Sequence, residues 1–245
     1  TAKETLCRRQ QAYTLSSQER AGEILQILKR FTDLSNKRIL DIGCGQGLIT
    51  ASLGQYADDI VGLDINVRYL QEASRHSQLQ FLLADATCLP WRDKTFDIII
   101  CNDVLEHVPD PRQVIREIGR VTRESAVIFL QCANKYQIVE PHFLLPFLSW
   151  LPLRLANIYL RLSSRGKSYT LYHPLTLRQF DSITEGYDVA DFTGERLLNK
   201  IKTMKISSPL LRHIISVLRL ILSDEQLAHI FKPFSIHTRV LLKRD

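Results

Sequence analysis

Three glycines at alternate positions, Gly43-Cys44-Gly45-Gln46-Gly47, follow the apolar run Arg38-Ile39-Leu40-Asp41-Ile42. A glycine turn leaving a buried strand lets backbone approach a ligand closely and lets a helix begin against it. Glycines at such turns also serve packing alone, so the acids beside them carry the discrimination. Asp41 precedes the turn, and Asp64 closes a second apolar run, Ile60-Val61-Gly62-Leu63, seventeen residues past Gly47. A carboxylate there can accept both hydroxyls of an adenosine ribose. The spacing is G-x-G-x-G, not the G-x-G-x-x-G of dinucleotide binders, so no pyrophosphate cradle is implied. A second constellation is Asp103-x-x-Glu106-His107. On a short helical turn this spacing gathers two carboxyl groups and an imidazole, a set able to orient a hydroxyl and take its proton. The plainer reading is that Glu106 and His107 support a loop.

These residues need rigid elements behind them. Arg38–Ile42, Ile60–Asp64, Gln80–Ala84, Phe96–Cys101 and Ala126–Leu130 read as strands, the fourth buried on both faces. Helical patterns lie between them. Ser16 with Glu19 matches a capping box ahead of the apolar stripe Ile24, Leu25, Ile27, Leu28 and Phe31. A further helix runs from Leu48 to Tyr56, Asn66 caps the next, and Pro111 opens one carrying Val114, Ile115, Ile118 and Val121. Strands alternating with helices predict an α/β fold, a doubly wound parallel sheet covered on both faces. The rhythm changes after residue 135. Residues 136–173 are rich in aromatics and proline, 174–186 read as helix, Tyr187–Phe192 and Ile236–Leu242 as strands. One domain over 1–245 is expected, with a cofactor-binding core at about 35–135 and helical cap elements at about 136–173 and 197–233.

The first of these motifs continue into a longer resemblance. ILDIGCGQG (39–47), VGLDIN (61–66) and LLADATCLPWRDKTFDIIICNDVLEHVPDP (82–111) resemble the class I S-adenosylmethionine-dependent methyltransferases, almost without interruption from 35 to 135. The likeness is to the type 11 and ubiquinone-pathway O-methyltransferase kind. It implies a Rossmann-like seven-stranded sheet, mostly parallel with an antiparallel last strand, for which Ile236–Leu242 is suited. It also implies that S-adenosyl-L-methionine is the cofactor. Gly43, Cys44, Gly45 and Gly47 would line its methionine and ribose part. Asp41 would hold the amino end through backbone or water, and Asp64 the ribose hydroxyls. Ile65 would flank the adenine, Asp85 would accept from the exocyclic amine with Ala86 facing the ring, and Asn102 would close the pocket. Asp85 has a plainer role as well, capping the following turn. Asp103, Glu106 and His107 are similar to an acid-x-x-Glu-His cluster that, in the ubiquinone-pathway enzymes, supports a divalent ion and the acceptor hydroxyl. Here Asp103 stands where Glu is usual, which shortens one arm, so no metal is expected.

Methyl transfer from a sulfonium is an in-line displacement in which alignment and removal of the acceptor proton are the protein's contribution. The segment Asn102-Asp103-Val104-Leu105 lacks the Asn-Pro-Pro-aromatic run of amino-group methylation, and no cysteine follows a proline as in cytosine C5 chemistry. A hydroxyl or carbon acceptor is left, and His107 is the expected base. His142 and His173 are further candidates for the acceptor side.

Charge adds a partner class. Residues 1–135 hold 17 basic and 17 acidic side chains, and residues 136–245 hold 15 and 9, so the whole net charge of +6 lies in the second part. Residues 143–160 (FLLPFLSWLPLRLANIYL) and 209–222 (PLLRHIISVLRLIL) are strongly apolar beside clustered Lys and Arg. Such segments suit a membrane interface, a lid or a homodimer contact. The expectation is a small-molecule or lipid-linked acceptor, quinone-like or of glycan type, at an anionic membrane surface. The stretch YQIVEPHFLLPFLSWLP is similar to caps of bacterial surface-glycan methyltransferases. Five cysteines without a CxxC pair and a first fifteen residues without an apolar run predict a reducing cytoplasm, peripheral to the inner membrane face. The alternatives are a nucleic-acid methyltransferase and a non-catalytic cofactor-binding protein. Aliphatic rather than stacking side chains beside the charge, and the absence of an RNA-binding module, make nucleic acid the weaker partner.

Overall fold

A computed structural model describes residues 2–243 apart from 141, 167, 170, 171, 204 and 207; of residues 2–14, 76 and 210 only the backbone is described. The chain opens with α1 (Ala2–Leu28), then runs β1 (Arg38–Ile42), α2 (Leu48–Leu53), β2 (Asp59–Asp64), α3 (Val67–His76), β3 (Gln80–Leu83), β4 (Phe96–Asn102), α4 (Pro111–Val121) and β5 (Thr122–Cys132). A hairpin of β6 (Val139–Glu140) and β7 (Leu145–Pro146) follows, then α5 (Leu153–Leu162), α6 (Leu177–Ile183) and β8 (Tyr187–Asp191). Helices α7 (Thr193–Lys202), α8 (Pro209–Leu218) and α9 (Asp224–Phe231) precede the last strand, β9 (His237–Lys243).

Seven strands form one sheet in the order β3-β2-β1-β4-β5-β9-β8. β1 to β5 pair in parallel, and β9 lies antiparallel to both β5 and β8. The expected topology therefore stands, with β9 as the reversed strand. Strand alternation assigns the layers. Ile98 and Ile100 face one cluster with Ala21, Ile24 and Leu28 of α1, while Ile99 and Cys101 face another with Val114, Ile118 and Val121 of α4. All of these side chains are buried, and each large one removed from water stabilises the fold by about 1.5–3 kcal/mol. Asp110 caps α4 by accepting from the amides of Arg112 and Gln113, with Pro111 at the first helical position. Asn66 caps α3 through Arg68 N.

The start of the first helix differs from its sequence signal. Ser16 and Glu19 lie inside α1, which begins at Ala2, so no capping box forms there. The Ser16 hydroxyl instead accepts from Arg20 one turn on. The helix expected to reach Tyr56 ends at Leu53, with Gly54 as its C-cap. The basic region 197–233 resolves into α7, α8 and α9, the first opening at Thr193. Many of its cations are paired: Lys202 with Glu225, Lys205 with Glu19, and Arg219 with Asp224. Arg219 also donates to the Ile201 carbonyl, so it is tied into the fold and does not share an open basic face with Arg212. No helix among the described residues is long and apolar enough to cross a membrane.

Candidate active site

The loop after β1 is fixed from the tip of β2. Gly43 N and Cys44 N both donate to the Leu63 carbonyl, at 2.7 and 2.9 Å. Asp64 accepts from Gly45 N at 2.9 Å through one oxygen and from Asn66 N at 2.8 Å through the other. Gly43 and Gly47 both have φ 71°. A Cβ on Gly43 would fall 2.3 Å from Val104 Cγ2, and one on Gly47 2.7 Å from the Phe81 ring. Gly45 differs. At φ 54° it faces open space, and it lines a cavity of about 130 Å³ with Gly43, Cys44, Arg20, Asn102 and Asp103. Asn102 Oδ1 is buried with no hydrogen-bond partner, an acceptor waiting for a donor such as an amino group. That orphan oxygen and the open face of Gly45 fit the methionine end of the expected cofactor.

Its other expected contacts divide. Ile65 is 70% exposed and Leu83, at the register position of Asp64, is 54% exposed, so apolar surface lies bare beside the ribose position. Ala86 is buried. Asp85 Oδ1 accepts from both the amide and the hydroxyl of Thr87, the turn-capping role weighed above. Asp41 is buried behind the loop and accepts from Thr50 Oγ1 at 2.5 Å. It does not line the cavity. Burial, and then the neighbouring Asp64, push its carboxyl up to about 7. Burial also raises the Cys44 thiol well above the usual range, so it stays protonated and is no nucleophile.

A second cavity, about 400 Å³, meets the first at Arg20 and Asp103, which line both. Asp103 stands at φ 58°, a left-handed conformation that Asp tolerates, and this turns the chain at the end of β4. Its carboxylate accepts from Gln131 Nε2 at 2.8 Å and Asn102 Nδ2 at 3.1 Å, and faces the Arg20 guanidinium at 3.5 Å. Glu106 also lines this space and is 2% exposed. One of its oxygens accepts from Ala133 N at 3.2 Å, and the other is buried without a partner. Burial, then the charge of Asp103, holds the Glu106 carboxyl well above the ordinary range, so at neutral pH it is an acid with a proton to donate.

The three expected catalytic residues are thus only partly brought together. Asp103 and Glu106 line this second cavity, but His107 is exposed and does not. The 3-10 turn Leu105–His107 directs Glu106 inward, where it is buried, and leaves His107 outside. The imidazole that lines the cavity is His142. Its ring lies 5.6 Å from that of His107 and 4.6 Å from Tyr172, centroid to centroid. His142 Nδ1 donates to Glu140 Oε1 at 2.8 Å, and the fully buried Glu140 takes Phe143 N on its other oxygen. The Glu140 hydrogen bond raises the pKa of His142 above the usual imidazole value. His173 lines a separate cavity, with Val108 and Tyr169. Glu140, Gln131 and Arg196 carried no sequence signal, because each is remote in the chain from the glycine loop and lacks a motif, and Lys200 stood out only as one of the clustered cations ahead of 209–222. Among the described residues, no three His, Cys, Asp or Glu side chains are grouped to hold a metal ion.

Residues 40–130 match the family described as "Methyltransferase domain". The ubiquinone biosynthesis O-methyltransferase of Aliivibrio fischeri is 30% identical over 115 residues, 44% of this chain and 49% of the relative. The chain therefore spans about half the length of the curated relatives it matches. Two solved structures share the fold. The YcgJ protein from Bacillus subtilis has a TM-score of 0.51 at 20% identity, covering 90% of this chain and 97% of its own. Magnesium protoporphyrin IX methyltransferase from Synechocystis, with bound S-adenosylhomocysteine, has a TM-score of 0.56 at 15% identity, covering 93% and 83%. With the glycine loop held by Asp64, the cavity beside Gly45 and the reversed strand β9 in place, the chain has the fold of these proteins, and its residues 40–130 are similar to a methyltransferase domain.

Proposed function

We propose that this protein transfers a methyl group from S-adenosylmethionine to a hydroxyl of a small or lipid-linked acceptor. The observation that carries this reading is the pair of cavities meeting at Arg20 and Asp103, one beside the glycine loop and one lined by His142. The bound cofactor supplies an electrophilic methyl on a sulfonium. Gly43, Gly45 and Asn102 would hold its amino-acid end, Asp64 its ribose, and Ile65 with Leu83 the adenine faces. On the acceptor side, His142 takes the proton from the hydroxyl. Glu140 fixes the ring through Nδ1 and stabilises the imidazolium that results. Protonated Glu106 donates to an acceptor oxygen and so orients it without adding negative charge. His107 packs beside His142 and is a positioning residue in this scheme.

An RNA acceptor is disfavoured by the intrachain pairing of Lys202, Lys205 and Arg219, which leaves fewer cations for phosphates. The test is incubation with methyl-labelled S-adenosylmethionine and separated lipid and polar extracts, followed by alkaline hydrolysis. Label in an alkali-stable ether of an extract component is expected. Tight binding of S-adenosylhomocysteine without transfer to any extract would mark a non-catalytic cofactor-binding protein instead.

A further inference from the structure

The charged side chains lining the acceptor cavity pair off until one cation is left. Lys205 meets Glu19 at 2.8 Å, Arg196 meets Glu23 at 2.5 Å, and Arg20 meets Asp103 at 3.5 Å. Glu106 is neutral by burial. Lys200, on α7, lines the same cavity and has no ion-pair partner among the described residues. It is largely withdrawn from water, and that burial, with Arg196 nearby, lowers its pKa from the ordinary lysine value. Glu23, Asp103 and Arg20 also act on it. An ammonium so placed is costly unless something anionic joins it.

Lys200 also stands at a boundary. Together with Gln137 and Ile236 it lines a further cavity of about 170 Å³. Beyond that point the walls are mostly apolar, with Leu197, Ile206, Leu211, Ile215, Phe231 and Phe234, although Thr193, Arg196, Lys205, Ser235 and Thr238 line the same cavity. Space therefore runs from a polar end holding His142 and Glu106, past one uncompensated cation, into a largely apolar slot among α7, α8 and α9.

We propose that the acceptor is an anionic amphiphile, whose carboxylate or phosphate pairs with Lys200 and whose aliphatic chain lies in the slot among α7, α8 and α9. This deepens the methyl-transfer reading and rests on it only for the hydroxyl placed at His142. Binding of the charged head and the chain is a property of the cavity itself.

Calorimetric titration in the presence of S-adenosylhomocysteine tests it with octyl phosphate, octanoate, octyltrimethylammonium and octyl glucoside, all below micelle-forming concentrations. The two anions are expected to bind, and the cation to bind about ten-fold more weakly or worse. The stronger of the two anions identifies the head as phosphate or carboxylate. Lys200→Met should weaken the anions by about 10- to 100-fold and leave the glucoside unchanged. Lys200→Arg should restore most of the anion affinity, and Leu211→Asn should weaken every octyl probe alike. Equal binding of anion and cation, or anion affinity unchanged in Lys200→Met, overturns the proposal. Loss of S-adenosylhomocysteine binding in the unsubstituted protein, with octanoate still bound, would instead count against the methyl-transfer reading and leave the Lys200 site standing.

Discussion

Single side chains separate His107 from His142. His107 announces itself in Leu-Glu-His-Val, yet it is exposed, while His142 lines the cavity with Glu140 behind it. The pH dependence of turnover should report this. His142 accepts a proton only when neutral, and Glu140 raises its pKa, so activity should rise with pH through a limb above the ordinary imidazole value of about 6.5. Glu140→Gln should move that limb down, and His142→Ala should lower kcat by roughly 10²–10⁴ and remove the limb. A profile unchanged in His142→Ala but abolished in His107→Ala would return the role to His107. Asp41 makes a different prediction, for stability without cofactor. Its carboxyl lies at about 7 in the folded protein against an ordinary 3.8, so between these values the folded state binds more protons than the unfolded one. Stability should therefore fall as pH rises through that window. Asp41→Asn keeps an acceptor for Thr50 and should match the original at about pH 4. By about pH 8 it should be more stable, by at most about 4 kcal/mol, as read from urea midpoints.

At the level of elements, the glycine loop was legible because its turn has one physical solution. Gly43 has no room for a side chain against Val104, and the strands on either side are apolar runs of the right length. Gly45 offers the sharper test, since a methyl there meets open cavity instead of protein. Gly45→Ala should cost about 1 kcal/mol in stability from its positive φ. Cofactor affinity should fall by more, because the methyl enters the space the ligand needs. Asp64→Ala should weaken cofactor binding by about 1.5–3 kcal/mol, by loss of charge-assisted hydrogen bonds. It should also loosen the loop, since Gly45 N and Asn66 N lose their acceptor. The hairpin β6–β7 was not legible. Its strands are two residues each, and Leu144 and Phe147 take left-handed conformations that apolar side chains rarely adopt. Yet this hairpin carries Glu140 at its edge and His142 in its turn. Likewise nothing near Arg196 in the sequence foretells that it joins Glu23 of α1, Gln131 of β5 and Thr238 of β9.

The whole molecule revises the picture of a basic half seeking an anionic surface. The surplus charge is real, but Lys202, Lys205 and Arg219 spend theirs on acids of the same chain. Some cations, Arg154, Arg178 and Arg212 among them, stay exposed, but so do large apolar side chains. Leu220 and Ile221, in the turn after α8, are 84% and 82% exposed. Contact with a lipid surface should therefore depend on these two side chains more than on net charge. Sedimentation with vesicles containing acidic lipid should drop in Leu220→Ser/Ile221→Ser, with S-adenosylhomocysteine binding unaltered. Burial of two large aliphatic groups is worth a few kcal/mol, roughly 3–6, and salt does not screen it. Sedimentation that disappears with added salt and ignores the double substitution would restore the electrostatic account.

The position of β9 has a consequence for synthesis. Residues 38–132 contain five strands, of which β1 to β4 pair only within this group and β5 alone also pairs outside it, so the five can assemble as they leave the ribosome. Among the described residues β8 has β9 as its sole neighbour, and β9 must enter between β5 and β8. Until residues 237–243 are made, β5 therefore presents an open edge and β8 waits without a partner. A chain stalled or cleaved before that point would expose an unpaired strand built of Ala126–Cys132, all buried in the finished fold. Such nascent chains should be the aggregation-prone species and the ones that most need a chaperone, whereas completion of a single seven-residue strand closes the sheet.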